Sequence, residues 1–337
     1  MFEIRVLSKE DIMNTLKISE VIEVVESVYK LKSNNMTDTW PTVFYEFESG
    51  KSDLDIKSGY LISKKIFGHK TVTWFGDNVQ KNLPTLTGMI SVFDAETGIL
   101  KGITDASYIT GIRTGVVGAL GAKYLAKENA ENLLIVGAGN QAIFQIAGVL
   151  TLIPSIKRIN IAASNFENAK IFAETISYRL KNEFDINAEH IVFEPVKNLE
   201  IGVKESHIII TITPSRHPII KKEWVQKGTH ISCIGADMIG KQELESEILS
   251  SALLFVDDME HCSSVGEIEL PLKQGVINKE HIIGEIGDLI LNKVSGRRNN
   301  EQITVFDATG MAILDIATAD LALNIAEKSK IGSKTKI

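Results

Sequence analysis

The chain has 337 residues, 44% apolar and 23% charged, which is long for one ordinary core and apolar enough to fill two. A formal net charge of −7 offers no basic field to nucleic acid or anionic lipid, so neither is an expected partner. Two cysteines, Cys233 and Cys262, in a chain without a secretory signal predict a reducing, cytoplasmic setting, and no apolar run reaches the roughly 18 residues of a membrane span.

The stretch EIRVL predicts a first strand, and Ser8 with Asp11 has the spacing of a capping box ahead of a helix. Ile18, Val21, Ile22, Val25, Val28, Tyr29 and Leu31 mostly recur at steps of three and four, the pattern of a helix facing a core. SGYLIS, KTVTWF and GMISVFDAETGIL read as strands of a mixed or antiparallel sheet, the last closed by a turn at Glu96 to Gly98. Lys70 lies within KTVTWF, where a lysine is either an edge residue or a buried group with a task. Arg113 and Thr114 then precede a small-residue helix, among Gly111 and Gly115. Little bulk shields Arg113 from a ligand there, and its planar fork suits a carboxylate.

From residue 126 the pattern changes. NLLIVG, RINIAA, HIVFE, HIIITIT, HISCIG, ALLFVD and ITVF alternate with helical stretches, as strands buried on both faces of a parallel sheet do. In LLIVGAGNQAIFQIAGVL, Gly137, Gly139 and Ala142 occupy the positions of a dinucleotide turn between a strand and a helix. The next strand ends in Ala163, Ser164 and Asn165 without the carboxylate that accepts bonds from a ribose 2′-hydroxyl, which favours NADP over NAD. ISCIGAD ends in Asp237, which is either a helix cap or a ligand group at the carboxyl end of a strand. Asp257, Asp258 and the run EHC at 260–262 match no standard metal-ligand set, so no metal is expected. His217 reads as a loop residue. The last periodic stretch, GMAILDIATADLALNIAEK, predicts a helix, and the polar tail SKIGSKTKI is expected to fray.

Together HKTVTWFGDN, FDAETG, ITGIRTG, VGAGNQA, IGAD followed by Lys241 and Glu243, VGEIE and VFDATGMAILD resemble the ornithine cyclodeaminase/mu-crystallin family over about residues 55–320. The resemblance implies an α/β fold: a Rossmann-type parallel sheet domain over 126–311, and an α+β substrate-binding and dimerisation domain made from 1–125 and 312–337. It implies hydride transfer between a nicotinamide, NAD or NADP, and the α-carbon of a small amino or imino acid, in a homodimer. Lys70 and Arg113 match residues that hold the substrate carboxylate, Lys70 being expected to take part in catalysis as well. Asp237 matches the catalytic aspartate, also beside the cofactor, Thr114 a neighbour of the cofactor phosphates, and Lys241 a cofactor-side contact rather than a partner for Asp237. Asn140, Gln141, Ser164, Asn165 and Thr213 complete the expected cofactor set. The family also contains ornithine cyclodeaminases and a small-ligand binder, mu-crystallin, which stand as alternatives. Two departures bear on the substrate. No arginine occurs in WPTVFYEF, and ungapped counting from Lys70 places Lys57 where cyclodeaminases carry a glutamate for the distal amine. A cation there repels that amine. The substrate expected is therefore small or doubly anionic, with Lys57 either reading it or facing solvent.

Overall fold

The computed structural model describes residues 2–337 and divides into two units, one running to Arg113 and resuming over Met311–Ile337, the other Thr114–Gly310. In chain order, β1 (Glu3–Leu7), α1 (Lys9–Thr15), α2 (Ile18–Ser33), β2 (Thr37–Thr39), β3 (Val43–Glu48), β4 (Ser52–Leu61), β5 (Ile66–Phe75), β6 (Leu86–Asp94) and β7 (Leu100–Asp105) lead to α3 (Ser107–Leu125). Next come β8 (Asn132–Val136), α4 (Ala142–Leu152), β9 (Arg158–Ala162), α5 (Phe166–Phe184), β10 (Val192–Pro195), α6 (Leu199–Lys204), β11 (Ile208–Thr211) and β12 (His230–Cys233). They are followed by α7 (Ser246–Ser251), β13 (Leu253–Val256), α8 (Met259–Val265), α9 (Glu269–Lys273), β14 (Ile282–Glu285), α10 (Ile286–Ile290) and β15 (Thr304–Asp307). The chain closes with α11 (Ala312–Ser329) and β16 (Ser333–Lys336).

The first unit is a mixed sheet of order β16-β1-β7-β6-β5-β4-β2, with β3 on β4. Ser8 and Asp11 form the capping box of α1. In α2 the apolar stripe Val21, Val25, Val28 and Tyr29 is buried, and the helix packs on α11. α11 crosses the sheet so closely that a Cβ at Gly59 would lie 2.9 Å from Ile313 and one at Gly102 2.5 Å from Leu323. The tail does not fray. β16 pairs antiparallel with β1, and Lys334 bonds Glu327 of α11 at 3.0 Å, so backbone pairing orders a strand with no buried side chain. The aromatics of β3, Phe44, Tyr45 and Phe47, are exposed, and Phe47 meets Phe75 in a tilted pair with ring centroids 5.7 Å apart.

The second unit is a parallel sheet of order β10-β9-β8-β11-β12-β15-β13-β14. Numbered in chain order within this sheet the strands run 3-2-1-4-5-8-6-7, so the first five follow the doubly wound order, with the reversal between β8 and β11 where such sheets bind dinucleotides. Leu134, Val136, Ile209, Ile231, Leu254 and Val305 fill its core. Burying each of these side chains stabilises by about 1.5–3 kcal/mol. The unit begins at Thr114, inside α3, and not at residue 126. The reason is helix packing: a Cβ at Gly115 would meet Phe144 O at 2.3 Å and one at Gly148 would meet Gly115 O at 2.8 Å, so this part of α3 lies against α4. Among the described residues no helix is long and apolar enough to cross a membrane.

Candidate active site

The first unit concentrates three cations on the α11 side of its sheet. β4 and β5 form a hairpin in which Lys57 pairs directly with Lys70, so both side chains leave the same face. Lys70 is 5% exposed and Arg113, on α3, 6%. Both meet one carboxylate that sequence reasoning did not single out: Asp315 of α11 accepts from Lys70 Nζ at 3.0 Å and from Arg113 Nε at 2.9 Å. Asp315 is fully buried in an otherwise apolar helix face, and a lone acid within MAILDIATA was the available signal. The Nη groups of Arg113 bond no described residue. Lys57 is partly buried, 3.8 Å from Asp55, and is not a solvent-facing lysine.

Electrostatics follow from this crowding. Burial pushes the Lys70 ammonium down to about 8; Asp315 opposes the shift, and Arg113 and Lys57 add to it. Burial alone would raise Asp315, yet the Arg113 and Lys70 charges overcome it and hold the carboxyl below the ordinary range. One buried carboxylate facing two cations leaves positive charge for an incoming anion. If Lys70 helps hold a carboxylate, affinity falls as pH rises through about 8, because the uncharged amine binds the anion less well. We expect the competitive Ki of propionate, which has no group titrating there, to rise by about tenfold between pH 7 and 10. Lys70→Arg, charged throughout, should flatten that rise; a flat wild-type profile would dissociate Lys70 from anion binding.

In the second unit β8 ends at Gly137, which has φ +121°, a backbone conformation that favours glycine. A Cβ at Gly139 would meet nothing within 4 Å, so packing does not require glycine there, and the open space lets a pyrophosphate approach the backbone. Ala142 opens α4 fully buried, and the N-terminus of a helix after a glycine turn suits a phosphate. Gln141 Oε1 is buried without a partner among the described residues, and Asn140 beside it is exposed. Thr114 is half-buried, its carbonyl accepting from Gln145 Nε2 at 3.0 Å. These residues fit a bound dinucleotide. After β9, Ser164 is exposed and Asn165 Oδ1 caps α5 by accepting from Glu167 N at 3.0 Å. No lysine or arginine lies in residues 163–168.

Asp237 follows β12 and is exposed, as a ligand group at the carboxyl edge of a parallel sheet would be. It caps no helix, since α7 starts at Ser246 with Glu245 at its N-cap position. Lys241 departs from expectation: its Nζ bonds Asp237 Oδ1 at 2.5 Å and reaches Gly235 O at 3.4 Å. The segment between them does not coil into a helix; a turn with Gly240 at φ +76° folds Lys241 back onto Asp237. Asp237 Oδ2 bonds no described residue. Thr213, past β11, donates its N–H and its hydroxyl to Glu243 Oε1, both at 2.7 Å.

The residues considered for a metal have structural roles. Asp258 caps α8 by accepting from His261 N at 2.8 Å, and Asp257 accepts from Gly310 N at 2.8 Å and from the Cys262 thiol at 3.1 Å. Among the described residues no His, Cys, Asp and Glu side chains group as a metal site. His217 is exposed, and its backbone closes a turn on Ser215 Oγ.

A doubly wound sheet with a phosphate turn, joined in one chain to a unit with buried cations, defines a two-domain α/β protein of the nicotinamide-dependent oxidoreductase class. The chain belongs to the ornithine cyclodeaminase/mu-crystallin family, whose model matches residues 3–330. It is 34% identical to an alanine dehydrogenase of Archaeoglobus fulgidus over 99% of this chain and 98% of that one. An archaeal alanine dehydrogenase dimer with bound NAD superposes with a TM-score of 0.91 at 34% identity, covering all of both chains. The Δ1-pyrroline-2-carboxylate reductase of Thermococcus litoralis, solved with NADH and L-proline, superposes with a TM-score of 0.90 at 30% identity over 99% of this chain and 100% of that one.

Proposed function

We propose that this chain is an NADH-dependent reductase of imino acids, or in reverse a dehydrogenase of the amino acids, acting at the α-carbon. The observation that carries the reading is the Lys70–Asp315–Arg113 cluster, in which a buried acid orients two cations and leaves the Arg113 fork free for an α-carboxylate. The nicotinamide, when bound, supplies or accepts the hydride. Asp237 is the proton partner of the substrate nitrogen, because a C=N group takes hydride readily only when that nitrogen is protonated. Lys241 holds the Asp237 carboxylate by one oxygen and leaves the other for the N–H.

Lys57 narrows the substrate. A distal ammonium would meet Lys57 beside Lys70, and like charges at that spacing repel, so ornithine is a poor substrate. A small side chain, or one ending in a second carboxylate, is accepted. For the cofactor, the missing acid after β9 removes a repulsion against NADP but supplies no cation, and the two solved relatives named above carry NAD and NADH. NADH is therefore the cofactor we propose, and NADPH is the comparison. A second copy of this chain is the partner we propose, and the exposed aromatics of β3 suit an apolar interface. Light scattering should then give about twice the 37.1 kDa chain mass, and a monomer at micromolar concentration would reject that pairing.

One screen tests the reading. Oxidation of NADH and NADPH is followed with pyruvate plus ammonia or methylamine, with cyclic imino acids, and with oxaloacetate plus ammonia. We expect turnover on at least one of these, and kcat/KM higher with NADH by about tenfold. Ammonia release from ornithine with proline formation would sink the reading of Lys57. Tight dinucleotide binding with no turnover on the whole panel would favour a binding protein instead.

A further inference from the structure

The carboxyl ends of β11 and β12 are joined by a side chain that the substrate and cofactor assignments leave unused. Glu243 is fully buried in the segment between Gly240 and α7. Its Oε1 accepts from the N–H and hydroxyl of Thr213, and its Oε2 accepts from Gly235 N at 3.1 Å. Thr211 and Cys233 are register partners, so Thr213 and Gly235 are corresponding positions just beyond the two strands. The approach is tight: a Cβ at Gly235 would lie 2.4 Å from Thr213 O and 2.5 Å from Glu243 Oε2. Glu243 is itself held from behind, since its N–H donates to the Glu267 carboxylate at 3.0 Å and Leu244 N does so at 2.7 Å. Burial and the Glu243 charge push the Glu267 carboxyl well above the ordinary range.

None of this is needed to close the sheet. β11 and β12 pair through their own backbones, and Ile234 N donates to Thr211 O at 2.9 Å past the last ladder residue. What the carboxylate fixes is the backbone beyond the ladder, from which Asp237 departs two residues after Gly235. In a doubly wound sheet the second mononucleotide half, here β11, β12 and β15, takes the half of the dinucleotide distal to the glycine turn. We propose that Glu243 is the positioning residue of the nicotinamide half, tying Thr213 to Gly235 and thereby setting the backbone against which the ring rests. This rests on the dinucleotide reading above.

The test is Glu243→Gln in the full-length protein, whose amide cannot accept from Thr213 and from Gly235 on separate atoms: one of its two end atoms is itself a donor facing an N–H. NADH affinity is read by fluorescence titration, kcat and KM on the best imine of the panel, and folding by thermal denaturation. We expect NADH affinity to fall by about tenfold or more and kcat to fall with it, while the imino-acid KM at saturating NADH stays within about twofold. Thr213→Val, which removes only the hydroxyl contact, should shift NADH affinity in the same direction by less, and Thr213→Ser should restore it. Unchanged NADH affinity in folded Glu243→Gln overturns the proposal, as does an imino-acid KM that rises in step with the loss of NADH affinity and a fall in melting temperature. If Glu243→Gln does not fold, the Thr213 pair decides, and equal affinity in the valine and serine variants overturns it. A wild-type chain that binds neither NADH nor NADPH overturns the dinucleotide reading and this one with it; normal wild-type binding with unaffected variants overturns this one alone.

Discussion

Asp237→Asn should lower kcat by about 10²–10⁴-fold and leave NADH affinity within about twofold of wild type. Asparagine keeps the shape of the side chain but can neither carry the negative charge that favours a protonated imine nitrogen nor exchange a proton with it. The loss should therefore appear in turnover and not in binding. Stability should barely change, because the Asp237–Lys241 pair is half open to water on the aspartate side, and such pairs contribute about 0–1 kcal/mol. This separation is what makes the variant informative: a melting temperature near wild type with turnover reduced by orders of magnitude places the defect in the chemistry. Lys241→Met should cost less, about tenfold in kcat, since it removes the group that aims one oxygen of Asp237 and leaves the carboxylate itself. Steady-state kinetics on the best imine, paired with NADH titration, measures both. Wild-type turnover in Asp237→Asn would take Asp237 out of the mechanism.

The Rossmann half was legible because its signals are local. A short apolar run, a glycine turn and a small-residue helix adjoin in sequence, and each has a direct physical cause. The family resemblance added what spacing cannot show, the role proposed for Asp237 above all. Elements without burial were not legible. Every residue of β3 and β16 is exposed, so no apolar alternation marks them, and β14 is a four-residue strand broken by Gly284. The facing of Lys57 and Lys70 was invisible for a different reason. They meet because they are equidistant from a turn at residues 62–65, and ISKK contains no glycine, proline or asparagine to mark it. Asp315 lies 245 residues from Lys70, and only the crossing of α11 over the sheet brings them together.

Asp315→Asn should be the most destabilising single change in the Lys70–Asp315–Arg113 cluster. The wild-type carboxylate accepts a bond from each of two buried cations, one per oxygen. Asparagine removes the charge and points an amide donor at Lys70 or Arg113, and breaking a buried pair from one side costs about 3–5 kcal/mol. That is a large part of the 5–15 kcal/mol that holds a typical domain. Lys70 should respond too. Asp315 is the main influence holding its ammonium charged against burial, so without that carboxylate the lysine falls below about 8 and is more often neutral at neutral pH. Affinity for a carboxylate then reflects two opposing changes. Removing Asp315 leaves Arg113 without its partner and so more receptive to an anion, while Lys70 loses charge. The net sign follows from Arg113, whose planar guanidinium fork suits a carboxylate. We therefore expect propionate to raise the melting temperature of Asp315→Asn by more than it raises that of wild type, because the ligand restores the missing negative charge. Adding Lys70→Met to Asp315→Asn should recover part of the lost stability, and the double-mutant cycle reads the coupling directly. Wild-type stability in Asp315→Asn, with no added response to propionate, would show that something other than Asp315 neutralises the two cations.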